Sequence, residues 1–446
     1  MLKKEKEALE EIGEEIENVR KGWSWAVEKG KNGVLGKSLE SLFRFYLIRG
    51  WFQEGEEAFG EAVEKLTGSG SMGKVAEAER EEVLGKVLAK QGVFSLILSD
   101  YSKARELLQK SLTILHKLDL RREIAFSIRN LGFVAYQLGE YAEARRHLEE
   151  SLAICREIND SDGIAISFNT LGLVAYNLGE FEEARELHRQ SLTIGREIGD
   201  RQGTAKYLLN LGNVAQRLGN YEEARGLYEE SLSICREIGD RWGMASSLNN
   251  LGIVAKALGE YQEAQKLYQK SLIIKRDVGD RKGIATSLGN LGDVAYELGE
   301  YREAIELQQE KLTICREIGN RRGAASSLSS LGRAKSALEQ VPESKRCFCE
   351  ALKGAMEIRA APVAVDALVG IANLLGKGGE IEKALELLAF AIQEPAASKD
   401  TKERAEYLRS QFISELPPQT VESIEERGKG RELEEIAEEI FRNERV

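Results

Sequence analysis

The sequence predicts an all-α solenoid, a stack of antiparallel helix pairs with helical caps at both ends. One motif recurs every 40 residues through seven units without an insertion or deletion. Glycine is abundant, with 43 residues, whereas proline is rare, with 5. Within each unit the apolar residues follow the spacing of amphipathic helices. Because stacked repeats share one continuous core, this period takes precedence over a domain count based on chain length.

The period appears as columns of the same residue type in successive units. A Leu-Gly pair, an aromatic residue and an alanine each keep one register along the chain. The Leu-Gly column comprises Leu131-Gly132, Leu171-Gly172, Leu211-Gly212, Leu251-Gly252, Leu291-Gly292 and Leu331-Gly332, and the aromatic column Tyr101, Tyr141, Phe181, Tyr221, Tyr261 and Tyr301.

The unit that begins near Thr204 shows why each repeat is expected to be a helix pair. Apolar residues at helical spacing run to Leu218, Gly219-Asn220 interrupts them, and the same spacing resumes at Tyr221. Glycine is favoured just past a helix end because it tolerates positive φ. Gly199-Asp200 predicts a second such end, followed by an aspartate that caps the next helix.

The glycine of the Leu-Gly pair requires a different explanation, because it falls in the middle of a predicted helix. Glycine there costs about 1 kcal/mol relative to alanine. We therefore expect the two helices of each pair to approach closely at this column.

Three regions follow from the repeat. Residues 1–80 are predicted to form an N-terminal helical segment with a degenerate helix pair, residues 81–395 about eight units, and residues 396–446 a C-terminal helical cap. The Glu-rich stretches 5–17 and 432–439 are expected to be solvated helix faces, with Trp23, Trp25 and Ile436 on the buried side. The units start near Leu84, Ile124, Ile164, Thr204, Met244, Ile284 and Ala324, and a degenerate eighth runs from Ile371 to Pro395.

Composition excludes several classes of protein. The 63 basic and 74 acidic side chains give a net charge of −11, which argues against a nucleic-acid partner. No apolar run approaches the roughly 18 to 20 residues that cross a bilayer, so we expect no membrane partner. The first residues lack a secretory signal, and five widely spaced cysteines are typical of a reducing compartment. The predicted location is the cytoplasm.

The repeat motif is specific enough to indicate a family. Leu251-Gly252, Gly259-Glu260-Tyr261, Ala264 and Tyr268 together resemble the tetratricopeptide signature. Each unit is longer than the 34-residue norm. This longer form resembles the repeats of kinesin light chains, of Pins-type spindle-orientation adaptors and of many bacterial regulators. The resemblance implies a right-handed superhelical solenoid that binds proteins or peptides.

The chain ends carry a second resemblance. The segments around Trp23 and from Phe43 to Gly55, with the tail from Leu408 to Phe441, resemble parts of the sensor region of bacterial STAND signalling ATPases, including NB-ARC regulators. This implies an ATPase module, possibly in cis. The segment Gly30–Ser38 does not supply it, because five residues separate Gly30 and Gly36 where a phosphate loop has four. We expect a glycine-rich turn between helices there.

Candidate ligand contacts come from the same resemblance, because first helices line the concave groove of tetratricopeptide arrays. One column of that stripe reads Asn130, Thr170, Asn210, Asn250, Asn290 and Ser330, although asparagine is a poor mid-helix residue. By resemblance these amides match the groove asparagines that bind a peptide backbone. The alternative is that each asparagine bonds to the neighbouring helix and fixes the stacking of repeats.

The other groove columns vary, so ligand choice could depend on them. Early positions are apolar, later ones cationic, and the sixth unit carries two carboxylates one turn apart that suit a cation. The alternative for any one of these charges is a solvated inner-wall side chain. The residues concerned are Phe126, Phe133, Ile166 and Leu173, then Lys206, Asn210, Asn213 and Arg217, and finally Asp293 and Glu297.

No chemistry-bearing constellation emerges from the sequence. His188 shares its column with Tyr228, Tyr268 and Gln308, and Cys155, Cys235 and Cys315 share theirs with Gly195 and Lys275, which indicates buried packing positions. No Cys or His set has zinc-site spacing. The sequence therefore predicts no enzyme, no cofactor and no metal.

The predicted function is that of a peptide-binding sensor module of a STAND ATPase. The alternative is a constitutive adaptor of the Pins or kinesin-light-chain kind.

Overall fold

The computed structural model describes residues 15–68 and 74–443, and all regular structure in those ranges is helical. From Lys74 to Gln393 the helices are joined by connections of two or three residues and pack against each other as pairs. The predicted all-α solenoid of helix pairs is confirmed. Residues 5–14 of the predicted acidic stretch lie outside the described ranges. The division into an N-terminal segment, an array and a cap remains a prediction.

The chain divides into two compact units, and the first is Met1–Asp240. Three helices precede four regular pairs in it. The helices are α1 (Ile16–Glu28), α2 (Asn32–Arg49), α3 (Phe52–Thr67), α4 (Lys74–Ile97), α5 (Tyr101–Lys117), α6 (Arg121–Gln137), α7 (Tyr141–Glu157), α8 (Ser161–Leu178), α9 (Phe181–Glu197), α10 (Arg201–Arg217) and α11 (Tyr221–Ile238).

The second unit is Arg241–Val446. It contains four pairs, including the predicted degenerate one, followed by short closing helices. The helices are α12 (Arg241–Ala257), α13 (Tyr261–Asp277), α14 (Arg281–Glu297), α15 (Tyr301–Glu317), α16 (Arg321–Ala337), α17 (Val341–Glu357), α18 (Ala361–Lys377), α19 (Ile381–Gln393), α20 (Lys399–Phe412), a 3-10 turn (Ile413–Glu415), α21 (Pro418–Lys429) and α22 (Leu433–Asn443).

The turns between helices form as the glycines and aspartates predict. Gly219 has φ of +81°, the left-handed conformation that glycine adopts without steric cost. Asp200 caps α10, since its Oδ1 accepts a hydrogen bond from the Gly203 amide at 2.9 Å. Asp280 caps α14 in the same way through Gly283.

Close approach of the two helices of a pair explains the mid-helix glycine. A Cβ on Gly212 would lie 2.5 Å from Cε1 of the Tyr228 ring, far inside van der Waals contact. Leu148, His188, Tyr268, Gln308 and Phe348 approach the equivalent glycines in the other pairs. The expectation of close approach is confirmed, and each pair buries a large side chain against a bare helix backbone.

A buried serine fixes the two helices of a pair in register. The hydroxyl of Ser151 on α7 donates to the carbonyl of Ala125 on α6 at 2.9 Å, and it is fully buried. The same bond, over the same sequence separation, recurs at Ser111, Ser191, Ser231 and Ser271. Since a buried hydroxyl must be paired, this column explains the repeated Ser-Leu in the sequence.

The ends differ from the prediction in one residue. Trp23 is buried and stacks on Phe59 with ring centroids 5.3 Å apart, and Ile436 is buried as expected. Trp25, expected to be buried, is 50% exposed. Residues two apart on a helix point about 200° away from each other, so both tryptophans cannot face one core.

The glycine-rich segment that resembled a phosphate loop connects two helices. The first helix, α1, ends at Glu28 and the next, α2, begins at Asn32, so Gly36 lies inside a helix. Gly30, between them, has φ of +60°. A turn between helices is therefore present at residues 29–31, but the rest of the segment, including Gly33 and Gly36, belongs to α2 rather than to a glycine-rich turn.

Candidate functional site

Within each unit, the first helices of successive pairs contact one another. In the first unit these are α4, α6, α8 and α10, and in the second α12, α14, α16 and α18. A second helix instead packs between the first helix of its own pair and that of the next. We use the term first-helix face for the surface formed on each compact unit by the predicted contact columns of these first helices. All predicted contact residues therefore belong to this face.

In the first compact unit, the asparagines of the predicted column form different kinds of hydrogen bond. The Nδ2 atom of Asn210 on α10 donates a hydrogen bond to Oδ1 of Asn169 on α8, 2.9 Å away. In contrast, Nδ2 of Asn130 donates to the carbonyl of Phe126 in its own helix at 2.7 Å. The amide of Asn210 thus joins two repeats, whereas that of Asn130 joins none.

The second compact unit, Arg241–Val446, contains the same kind of asparagine–asparagine hydrogen bond between neighbouring repeats. Nδ2 of Asn290 on α14 donates to Oδ1 of Asn249 on α12 at 3.2 Å. Asn250, the predicted contact residue of α12, accepts a hydrogen bond from Nδ2 of Asn249 at 3.4 Å. At Ser330, in the same column, the hydroxyl donates to Asp293 at 3.3 Å. This column therefore links neighbouring first helices at several positions.

Asn169 and Asn249 were missed from the sequence. They belong to the column immediately before the predicted one, which also contains Arg129, Leu209 and Gly289. The sequence feature that could have indicated them is the recurrence of asparagine at 169 and 249, two repeats apart, each in the repeat before Asn210 or Asn290.

The predicted apolar contact residues are partly covered by the chain itself. The ring of Phe126 packs edge-on against Phe43 of α2, with centroids 6.4 Å apart, and Nζ of Lys90 lies 4.4 Å from its centroid. Phe133 packs against Tyr136 at 5.7 Å. Phe126, Phe133 and Leu173 are all half-buried, so each keeps some surface on the first-helix face.

The predicted cations of the fourth unit lie at the surface. Lys206 and Arg217 are both exposed, and the Arg217 guanidinium stands over the Phe181 ring, 5.7 Å from its centroid. Asn213 accepts a hydrogen bond from the hydroxyl of Tyr228 at 2.8 Å.

The predicted cation site of the sixth unit contains a cation from the chain. Asp293 on α14 accepts hydrogen bonds from Gln308 at 3.2 Å and from Arg333 on α16 at 3.4 Å. Glu297, one turn further on, is exposed. The carboxylate of Asp293 is thus engaged by its neighbours, because Arg333 already supplies a positive charge.

A half-buried carboxylate stands next to this group. Asp366 on α18 accepts a hydrogen bond from Arg404 on α20 at 2.6 Å and is also bonded to Ser329 on α16. Burial alone would raise the pKa of Asp366, but the charges of Arg404 and Arg333 and its hydrogen bonds lower it to about 2. Asp366 is therefore charged at neutral pH and ties three helices together.

The histidine and cysteines that the sequence assigned to packing positions are buried. His188 lies against Gly172, with Nδ1 3.2 Å from Oδ1 of Asn169, and burial lowers its pKa to about 4. Burial raises the pKa of the Cys235 thiol to about 11. Across residues 15–68 and 74–443 no group of His, Cys, Asp and Glu side chains could hold a metal ion. None of the helices in those ranges is both long and apolar enough to span a bilayer.

Solved structures with similar folds belong to several bacterial and archaeal proteins. The apo form of the quorum sensor NprR from B. thuringiensis superposes with a TM-score of 0.59 at 17% identity, over 87% of this chain and 99% of that one. The apo form of RapI gives a TM-score of 0.58 at 15% identity, over 85% and 99% of the two chains. At these identities the likeness establishes the fold alone.

A third similar structure is larger. The STAND protein with a tetratricopeptide repeat sensor from Pyrococcus horikoshii superposes with a TM-score of 0.56 at 15% identity, over 84% of this chain. This chain spans 55% of its length.

Family comparison identifies the repeat directly. A comparison with curated protein sequences gives no match. The family model of the tetratricopeptide repeat matches in six overlapping segments, at residues 84–157, 123–197, 163–237, 203–277, 243–317 and 283–357. Together the segments cover more than half of the chain. The chain belongs to the tetratricopeptide repeat family.

Proposed function

We propose that the chain is a non-catalytic module that binds a protein or peptide ligand along the first-helix face. The observation that carries the proposal is the state of the cations on α10. Lys206 and Arg217 are exposed, and among the described residues the Lys206 side chain forms no hydrogen bond or ion pair. In contrast, Arg196 on the second helix α9 is paired with Glu230 at 2.6 Å. Lys206 can therefore bind an acidic ligand group without breaking an existing ion pair, and Arg217 can do so from its place over the Phe181 ring.

The neighbouring helices supply the remaining contacts for an extended ligand. Phe133 on α6 and Leu173 on α8 each present a half-buried apolar side chain, and Lys206 and Arg217 follow on α10. A peptide crossing these three helices would place an apolar side chain first and an acidic one about two repeats later. Asn213 would donate its amide to the peptide backbone.

We further propose that this module is the ligand-sensing region of a STAND signalling ATPase. The similar fold of the Pyrococcus horikoshii protein, which carries a tetratricopeptide repeat sensor, supports this role. Ligand binding would shift the repeats toward one arrangement, and a linked ATPase module would respond to that shift. An in-frame phosphate loop in the coding sequence upstream of Met1 would support the sensor, and a protein complete at Met1 with no ATPase partner would favour a constitutive adaptor.

Selection of random peptides on the immobilised full chain tests the binding proposal. We expect selected peptides to contain an acidic residue, and their affinity to fall about 10- to 100-fold when Lys206 and Arg217 are both replaced by alanine, since the loss of one charge-assisted hydrogen bond to that residue costs about 1.5 to 3 kcal/mol. Arg189→Ala, an exposed cation on the second helix α9, is the matched control. Equal losses in both variants, or no selectable peptide, would overturn the proposal.

A further inference from the structure

The sixth unit departs from the repeat at two positions that lie against each other. Lys311 on α15 stands where the earlier units have the buried serine, and Gly289 on α14 stands where Asn249 and Ser329 stand in adjacent units. A Cβ on Gly289 would lie 2.8 Å from Nζ of Lys311. The ammonium group therefore occupies the space that a side chain fills at Asn249 and Ser329, one residue before Asn290 of the first-helix face.

The Lys311 ammonium has no acceptor among the described residues. It forms no hydrogen bond or ion pair there, although burial lowers its pKa. Asp293, the carboxylate whose charge acts on Lys311, is already bonded to Gln308, Ser330 and Arg333. The Lys311 side chain is half-buried, so its ammonium has lost part of its hydration without gaining a protein acceptor, and an anionic partner that arrives from outside would replace what is lost.

A buried lysine of the fifth repeat provides the contrast. Lys275 on α13 occupies the cysteine column, and its Nζ donates to the hydroxyl of Ser287 at 2.9 Å. Burial lowers the pKa of Lys275 too, so burial alone does not separate the two lysines. What separates them is the missing acceptor at Lys311.

With the exposed Glu297 set aside, the three cations Lys311, Arg333 and Arg404 exceed the two carboxylates Asp293 and Asp366 by one charge. The two arginines face the two carboxylates. Arg333 is itself incompletely satisfied, because its Nε is buried without a hydrogen-bond partner. Glu297 is exposed at the rim, where solvent screens its charge. One singly charged carboxylate would neutralise this group.

We propose that the Lys311 ammonium, supported by the charge of Arg333, binds the carboxylate of an aspartate or glutamate side chain of the ligand at the notch left by Gly289. The inference rests on the proposed function, since the carboxylate belongs to a peptide on the first-helix face. A doubly charged phosphate would overcompensate the single positive excess.

Thermal unfolding of the full chain in sodium acetate, compared with sodium chloride at equal ionic strength and pH 7, tests the site. Acetate is the probe for the carboxylate. We expect 200 mM acetate to raise the unfolding temperature by about 2 to 4 °C. Lys311→Met removes the ammonium, and Gly289→Ala leaves it but fills the notch, so both should abolish the acetate effect. Lys275→Met, at the buried lysine of the fifth repeat, should retain it.

Several outcomes of these measurements would contradict the proposed carboxylate site. Equal effects of acetate and chloride on the wild type, or an acetate effect that survives both Lys311→Met and Gly289→Ala, would overturn the site. Greater stabilisation by inorganic phosphate than by acetate would overturn the carboxylate assignment. If Lys311→Met fails to fold, Gly289→Ala and the ¹³Cε shift of Lys311 in wild-type protein, which should move on acetate addition, still decide.

The two proposals fail separately. Peptide selection does not depend on acetate, so selected peptides that bind a chain without an acetate response would remove this inference and leave the proposed function. An acetate response that follows Lys311, with no selectable peptide, would remove the proposed function.

Discussion

The side-chain amide of Asn210 donates a hydrogen bond to Oδ1 of Asn169, 2.9 Å away on the preceding first helix. Asn290 and Asn249 form the same bond in the second unit. The sequence left two roles open for this column, ligand contact and repeat stacking. The inter-repeat bonds support stacking at these positions. They leave a second N–H on each donor amide, so one asparagine can still bind a ligand.

The stacking role predicts that asparagines of one column differ in their effect on stability. Asn210→Ala should lower the free energy of unfolding by about 0.5 to 1.5 kcal/mol, because a hydrogen bond between repeats is lost. Asn130→Ala is the matched control, since its amide bonds only to its own helix and alanine is the better helix former. Urea denaturation measures both. Equal destabilisation by the two substitutions would contradict the stacking role.

The mid-helix glycines predict a strong dependence on position. Gly212→Ala should cost about 1 to 3 kcal/mol, because the added methyl would overlap the Tyr228 ring. Gly226→Ala, on the neighbouring helix α11, places its methyl in open space and should stabilise the protein by up to about 1 kcal/mol. Thermal unfolding compares the two variants. A stabilising Gly212→Ala would show that close packing is not the reason for this column.

Because His188 is buried, we expect the free energy of unfolding to decrease at acidic pH. Its folded-state pKa of about 4 lies below the ordinary 6.5, so the neutral form is favoured in the folded protein. This contribution to stability is complete above pH 6.5 and decreases as pH falls toward 4, because the unfolded state then binds the proton. Between pH 7 and pH 5 the free energy of unfolding should fall by about 2 kcal/mol from this residue.

His188→Gln isolates that contribution, since Gln308 occupies the same column in another unit. The variant should lose the pH-dependent decrease seen in urea denaturation of the wild type. Identical pH profiles for the two proteins would mean that His188 takes up its proton without loss of stability.

Substitution of Asp366 is expected to lower the free energy of unfolding more than substitution of an exposed acidic residue. Asp366→Asn should cost about 1.5 to 3 kcal/mol, because the half-buried Arg404 would lose its charged hydrogen-bond acceptor and Arg333 a nearby negative charge. Asp277→Asn, which removes a half-exposed pair with Arg241, should cost at most about 1 kcal/mol. Guanidinium denaturation at pH 7 compares them, and similar costs would argue against a buried network around Asp366.

Most of the fold follows from local patterns that the sequence displays. Gly219, Asp200 and the repeated Leu-Gly pair act on their own turn or helix, so a period of 40 residues reveals them directly. The expectation that Trp25 is buried is wrong because Trp25 is two residues from the buried Trp23 and therefore faces another side of the same helix.

The partners of the site residues were beyond sequence reasoning. Whether Asn210 reaches Asn169 depends on how far neighbouring first helices are shifted along their axes, and an alignment of the repeats does not give that distance. Similarly, Gly289 and Lys311 depart from the repeat in separate columns, and only packing brings them together.

The central claim is that ligand binds along the first helices, and hydrogen–deuterium exchange of the full chain with a selected peptide tests it most directly. We expect slower exchange in α6, α8 and α10, whose residues Phe133, Leu173, Lys206 and Arg217 would contact the peptide, with little change in α7 and α9. Protection confined to α7 and α9, the second helices of the same pairs, would contradict it.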